Sequence, residues 1–203
     1  MFSLIFSMFT FSLSMSISPG PVNITILSSS MNYGLKQTFA FISGATIGFT
    51  ALLAAVCFGL YQVISLYPIL LNIITVLGTV LFVWMGWNIA RAQGKSIQTD
   101  QLELPKAPTF MQGALLQWLN PKAWIAAVSG TALFSASHNA LYLFLFIFIY
   151  FVVCYLSLLI WGYAGQKLAV FLNQGSRMRV FNMVMGVLLM FIALQMSWSH
   201  FYA

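Results

Sequence analysis

The chain reads as a succession of long apolar runs separated by short polar ones. Six runs stand out, at residues 2–27, 38–60, 69–90, 110–134, 140–164 and 180–199. None alternates apolar and polar positions with the period of two that a lipid-facing barrel strand requires. At about 1.5 Å per residue, each run as a helix can cross the roughly 30 Å of bilayer hydrocarbon. The pattern predicts an all-α integral membrane protein with six transmembrane helices.

Two of the six runs are interrupted. The first contains SISPGPVNI at 16–24, with Pro19, Gly20 and Pro21 inside an otherwise apolar stretch. The fourth contains QWLNPKAW at 117–124, with Pro121 in a similar place. Proline removes a backbone donor and clashes with the carbonyl one turn earlier. In hydrocarbon each unsatisfied polar group costs several kcal/mol, so broken backbone at membrane depth must be buried in protein or line a wet cavity. A lone proline in a membrane helix usually marks only a kink. Two breaks in the opening runs of two three-run halves instead suggest two inverted three-helix repeats with broken first and fourth helices. The expected organisation is one membrane domain, 1–203, with halves 1–90 and 110–203 joined by a polar linker, 91–109.

Composition supports the membrane reading and fixes an expected orientation. The chain of 203 residues is 61% hydrophobic and 5% charged, against about 25% charged in soluble domains. Seven loop cations (Lys36, Arg91, Lys95, Lys106, Lys167, Arg177 and Arg179) fall between runs one and two, three and four, or five and six. The other loops carry none. The positive-inside rule makes the cationic side cytoplasmic and puts both termini outside. Residues 1–35 hold no Lys or Arg, so the first run reads as a retained span and not as a cleaved signal. The net charge of +6 is scattered over loops; the expected environment is the lipid bilayer, with no nucleic acid bound.

The candidate chemistry gathers at the breaks. Freed carbonyls and amides around Pro19, Gly20 and Pro21, with Asn23, could face Gln117, Asn120, Pro121 and Lys122. Together they could hold a small zwitterionic amino acid, its carboxylate at a helix N-terminus or at Lys122 and its ammonium on carbonyls and Asn side chains. Lys122 lies about 18 Å along a helix starting at 110. Facing lipid there would be costly, so it either points into the bundle or snorkels to an interface from a later-starting helix. Gly44 and Gly48 form a GxxxG pair that suits close packing against another span, with a homodimer seam as the alternative.

The remaining features carry blander readings. Cys57 and Cys154 lie in separate apolar runs, away in sequence from both breaks, and read as buried thiols. The tryptophans, mostly near run ends, read as an interfacial belt, with Trp118 and Trp124 flanking the second break. His138 and His200 read as surface residues, and Gln62, Asn72, Asn88 and Gln195 as interhelical or interfacial polar groups. No Asp or Glu lies in any run. No metal site, cofactor or catalytic constellation is expected, and the protein does not read as an enzyme.

The SISPGPVNI stretch, SSSMNYGLKQTFAFISGATIGF at 28–49 and LQWLNPKAW resemble the lysine-exporter (LysE) superfamily, within it the homoserine/threonine-resistance (RhtB) type exporters. The resemblance covers nearly the whole chain. It implies a multi-pass protein of the bacterial cytoplasmic (inner) membrane that exports amino acids or derivatives, driven by the proton-motive force as an antiporter. The motif positions are Pro19, Gly20, Pro21, Asn23, Asn120, Pro121 and Lys122. Many members carry an acid after the second glycine of the span-two motif, where this chain has Phe49. That favours a neutral substrate of the threonine, homoserine or cysteine kind and leaves Lys122 or a water chain to carry any protons. The wider superfamily offers metal efflux or thiol-redox transfer as alternatives.

Overall fold

The computed structural model describes residues 2–60, 62, 66–92, 107–135, 140–172 and 177–202. Among them are helices α1 (Phe2–Ile17), α2 (Pro21–Tyr33), α3 (Leu35–Cys57), α4 (Pro68–Arg91), α5 (Phe110–Trp118), α6 (Pro121–Phe134), α7 (Ala140–Leu172) and α8 (Arg177–Tyr202), and no strand. Most of the 91–109 linker, with Lys95, Asp100, Glu103 and Lys106, lies outside the described residues, as does His138.

Local chemistry sets the helix starts. Proline opens α2, α4 and α6, where its missing N–H costs nothing. A capping box between Thr109 and Gln112 opens α5. Gly34, at φ 83°, supplies the left-handed residue that ends α2 and lets α3 start at once.

The helices α3, α4, α7 and α8 are each long and apolar enough to cross a membrane. A fifth span results if α1 and α2 count as one, bent by 59° at the PGP break. With 9 and 14 residues, α5 and α6 are each too short alone. Several helices outrun the apolar runs: α2 continues to Tyr33, α7 to Leu172, and α8 begins at Arg177. Cation–aromatic pairs stabilise such extensions at an interface. Arg91 stands over the Trp87 ring at 4.4 Å, and Lys167 over Tyr163 at 5.3 Å, each pair one turn apart.

Small residues set the packing. Gly44 and Gly48 lie against the α5 backbone at Phe110 and Ala114, and Gly113 of α5 lies against Phe41 and Ala45. A Cβ at any of the three would enter the neighbouring backbone. Further along, Cys57 near the end of α3 meets Thr131 near the end of α6 at 3.2 Å. So α3 runs parallel to α5 and α6. In the same way α7 runs parallel to α1 and α2: Phe11 meets Phe146 and Tyr150, Trp161 reaches Ile17, and Gly165 lies on the Leu27 carbonyl. The pair α4 and α8 is antiparallel. Gly86 crosses Gly186 at one end, and His200 bonds Asn72 at 2.9 Å at the other. The packed core lies between α2, α3, α6 and α7, with Ile24, Phe41, Leu52, Ala127 and Phe146 buried. The outer faces are apolar and exposed, as lipid contact requires.

Candidate functional site

The last carbonyls of α1 have no helical partner, because Pro19 and Pro21 stop the helix. In hydrocarbon no water is there to satisfy them. Side chains from three other places do so. Asn23 Nδ2 donates to Ser16 O at 2.9 Å. Trp161 Nε1, from α7, donates to Ile17 O at 3.1 Å. The Lys122 ammonium, from the second break, donates to Ser18 O at 2.6 Å, Ser18 Oγ at 2.9 Å and Pro19 O at 3.4 Å. Four consecutive carbonyls, 16 to 19, are thus each capped from outside α1. A cation at a helix C-terminus also matches the negative end of the helix dipole.

The second break has its own closure. Asn120 buries its side chain and caps α6, its Oδ1 accepting from Lys122 N at 3.1 Å. Its Nδ2 donates to Gln117 Oε1 at 3.3 Å. Trp124 Nε1 donates to Trp118 O at 2.7 Å across the break. Pro121 holds the first position of α6, and Lys122, the next residue, reaches into the first break. Gly20 makes room for it: a Cβ there would lie 3.0 Å from Lys122 Cδ and 3.1 Å from Nζ.

The two breaks enclose a cavity of about 40 Å³. Its polar lining is Ser16, Asn23, Gln117, Asn120, Lys122 and Tyr150; Phe49, Ala126, Cys154 and Leu158 form much of the rest. That volume suits a few waters at most; an amino acid needs a wider space. Two features mark the cavity as unsaturated. The buried Ser16 hydroxyl, beside the Tyr150 hydroxyl and the Cys154 thiol, lacks hydrogen-bond geometry to either. The N-terminus of α2 has no side-chain cap, and its first residues Val22 and Asn23 line the space.

The structure therefore brings Gly20, Asn23, Gln117, Asn120 and Lys122 together, with Pro19 and Pro21 framing the first break and Pro121 the second. Gly44 and Gly48 stand apart, on the α3–α5 seam. Two readings of the sequence need correction. Cys57, read as buried, is only half-buried, against Thr131; Cys154 is buried as read but, though far from both breaks along the chain, lies in the same cavity as Lys122. Trp161 belongs to the break, where it caps Ile17, and not to an interfacial belt.

Ser16, Ser18, Tyr150, Cys154 and Trp161 were not legible as site residues, and Phe49 only through the resemblance. A weak signal existed for three: a hydroxyl, a thiol and an indole N–H inside the fifth run each require burial or a partner in hydrocarbon. Phe49 packs against Tyr150, the rings tilted by 34° with centroids 4.5 Å apart.

The LysE type translocator family matches residues 13–199, and the chain belongs to that family. Among similar curated proteins, a "Cysteine/O-acetylserine efflux protein" of Escherichia coli is 27% identical over 133 residues, 65% of this chain and 66% of the relative. A protein of the same name from Salmonella choleraesuis is 24% identical over 132 residues, 64% of this chain and 65% of the relative. The match thus spans about two thirds of the length of these relatives. No solved structure matches.

Proposed function

We propose that the protein is a secondary transporter that exports a small neutral amino acid or derivative, of the cysteine, O-acetylserine, threonine or homoserine kind, across the bacterial inner membrane. The observation that carries this reading is the Lys122 ammonium seated in the break of the first span. A half-buried cation held by backbone carbonyls beside an uncapped helix N-terminus is suited to an exchange in which a substrate carboxylate takes their place. Asn23, Gln117, Asn120 and Tyr150 supply acceptors for the substrate ammonium. The names of the relatives point to the same substrate class.

The chain reads as six crossings in two inverted repeats, with α5 and α6 together as the fourth. The pairings support this: the first span runs parallel to the fifth, the second to the fourth, and the third antiparallel to the sixth. An inverted repeat requires this reciprocity. The positive-inside rule then puts Arg91, Lys167 and Arg177 in the cytoplasm and both termini outside.

In this conformation all three ammonium protons of Lys122 are taken, and the cavity is too small for the solute. In this arrangement the space between the breaks is narrower than an amino acid needs. Opening must separate Lys122 from Ser18 and widen the space beside Ala126 and Cys154. No acid lines the cavity, and Phe49 packs over one wall, so cationic amino acids are disfavoured. Proton exchange would run through Lys122 and water.

Counterflow of labelled cysteine, O-acetylserine, threonine and homoserine into vesicles preloaded with each compound tests the reading. Uptake of at least one above protein-free vesicles, lost in Lys122→Met, is the expected result. No uptake of any neutral amino acid would overturn it.

A further inference from the structure

Two larger clefts flank the double break, and both use α4 as a wall. The inner cleft, about 780 Å³, lies between α2, α4 and α5, from Thr25 to Tyr33 on α2 and from Leu81 to Ala92 on α4. The outer cleft, about 610 Å³, lies between α4, α6 and α8, from Leu71 to Thr75 on α4 and from Pro121 to Ser129 on α6. Along α4 their centres are separated by roughly 20 Å at 1.5 Å per residue. One cleft approaches the break at Thr25, two residues beyond Asn23 of the central cavity. The other reaches it at Pro121 and Trp124, beside Lys122 and Ala123. Each cleft can take a solute that the central cavity cannot.

The inner cleft carries a polar stripe. Thr25, Ser28, Ser29 and Asn32 follow the spacing of one helix face, and all four line the cleft. Asn32 Nδ2 donates to Ser28 O at 2.8 Å and lies 3.4 Å from Ser28 Oγ. A reciprocal amide pair joins Asn32 to Asn182 of α8, both bonds 3.2 Å, and Asn182 also donates to Ala92 O at 3.1 Å. Thr25 and Ser28 are almost fully buried, and the Thr25 hydroxyl donates to Pro21 O at 2.9 Å, so a zwitterion would meet the stripe mainly at Ser29 and the half-buried Asn32. Asn88 and Gln112 add polar groups on the opposite walls.

We propose that the inner cleft is a second solute site, on the cytoplasmic side, where a small zwitterion waits on the Thr25–Asn32 stripe before it reaches the double break. The outer cleft, with Thr75, Ser129 and Gln195 on its walls, is the matching exit. The inference rests on the export reading above for the identity of the solute. It does not rest on that reading for the existence of the two clefts.

The test is therefore an accessibility measurement that needs no substrate. Ser29→Cys and Ser129→Cys are introduced singly into the full chain, whose own half-buried Cys57 and buried Cys154 set the background. A charged, membrane-impermeant methanethiosulfonate is applied to inside-out and right-side-out vesicles. The expected result is several-fold faster labelling than the parent chain, for Ser29→Cys from the cytoplasmic face only and for Ser129→Cys from the opposite face only. Labelling of both from one face, or no labelling of either, overturns the proposal. Because the stripe is to bind solute, the Ser29→Cys reaction must also slow when a transported amino acid is present. Unchanged labelling at saturating solute, in vesicles that do transport it, overturns the waiting site. Vesicles that label as expected but transport no amino acid would refute the export reading alone.

Discussion

The Lys122 ammonium donates to the Ser18 carbonyl at 2.6 Å, joining positions 104 residues apart. That bond makes two separate helix breaks one structure. It solves a problem that each proline creates alone, because the carbonyls freed by Pro19 and Pro21 have no water to turn to.

Removing the ammonium leaves Ser18 O and Pro19 O without their donor. Pro19 is exposed and Ser18 partly buried, so the loss falls mainly on Ser18 O, at up to about 1–3 kcal/mol for a buried group left unsatisfied. Lys122→Met should lower the thermal midpoint of the detergent-solubilised protein and abolish counterflow. A melting curve and a transport assay on one preparation check both.

Trp161→Phe keeps the ring in α7 but removes the donor to Ile17 O. The expected loss is about 1 kcal/mol, the net value of one hydrogen bond. Trp161→Leu should cost more, since the aromatic packing goes as well. Denaturant or thermal melts of the two variants measure the difference.

At the α3–α5 seam, Gly48 leaves no room for a side chain, since a Cβ would enter the Ala114 backbone. Gly48→Leu must drive the helices apart, at a cost of about 1–3 kcal/mol or more. Because α5 leads directly into the second break, transport should fall along with stability. Gly34→Ala makes an informative contrast. No neighbour lies near that Cβ, but the positive φ strains any L side chain, so a stability loss without a packing change is expected.

Asn182→Leu removes the amide pair with Asn32 and the bond to Ala92 O. Interhelical polar bonds in membranes average about 0.6 kcal/mol, with a maximum near 1.7. A small stability loss is expected, detectable as a shift in thermal midpoint of a few degrees at most.

The breaks were legible in the sequence because proline chemistry is local. Pro19, Gly20, Pro21 and Pro121 declare themselves wherever they occur in an apolar run. Lys122 was legible as a cost, since a cation in hydrocarbon needs a reason. What it touches was not, because the partner is a backbone carbonyl in another span and a carbonyl leaves no mark in a sequence. The fifth run hid most. The buried face of the helix it forms, α7, with Phe146, Tyr150, Cys154, Ser157, Gly162 and Gly165, follows helical spacing, but apolar residues surround it on every side. A helix bathed in lipid has no polar face to orient it. Only the small and hydroxyl-bearing residues distinguish inside from outside there. The parallel and antiparallel pairings were likewise beyond the sequence, although run number and loop charge predicted directions consistent with them.

The central claim is that the breaks at 19–21 and 120–122 meet inside the bundle, and cross-linking tests it most directly. Gly20→Cys with Lys122→Cys is placed in a full chain carrying a protease site between the two halves. Asn32→Cys with Asn182→Cys, whose native side chains are bonded at 3.2 Å, serves as the control pair. Under mild oxidation both pairs should hold the cut halves together on a non-reducing gel. Halves that stay joined through 32 and 182 but separate in the 20 and 122 variant would contradict the account.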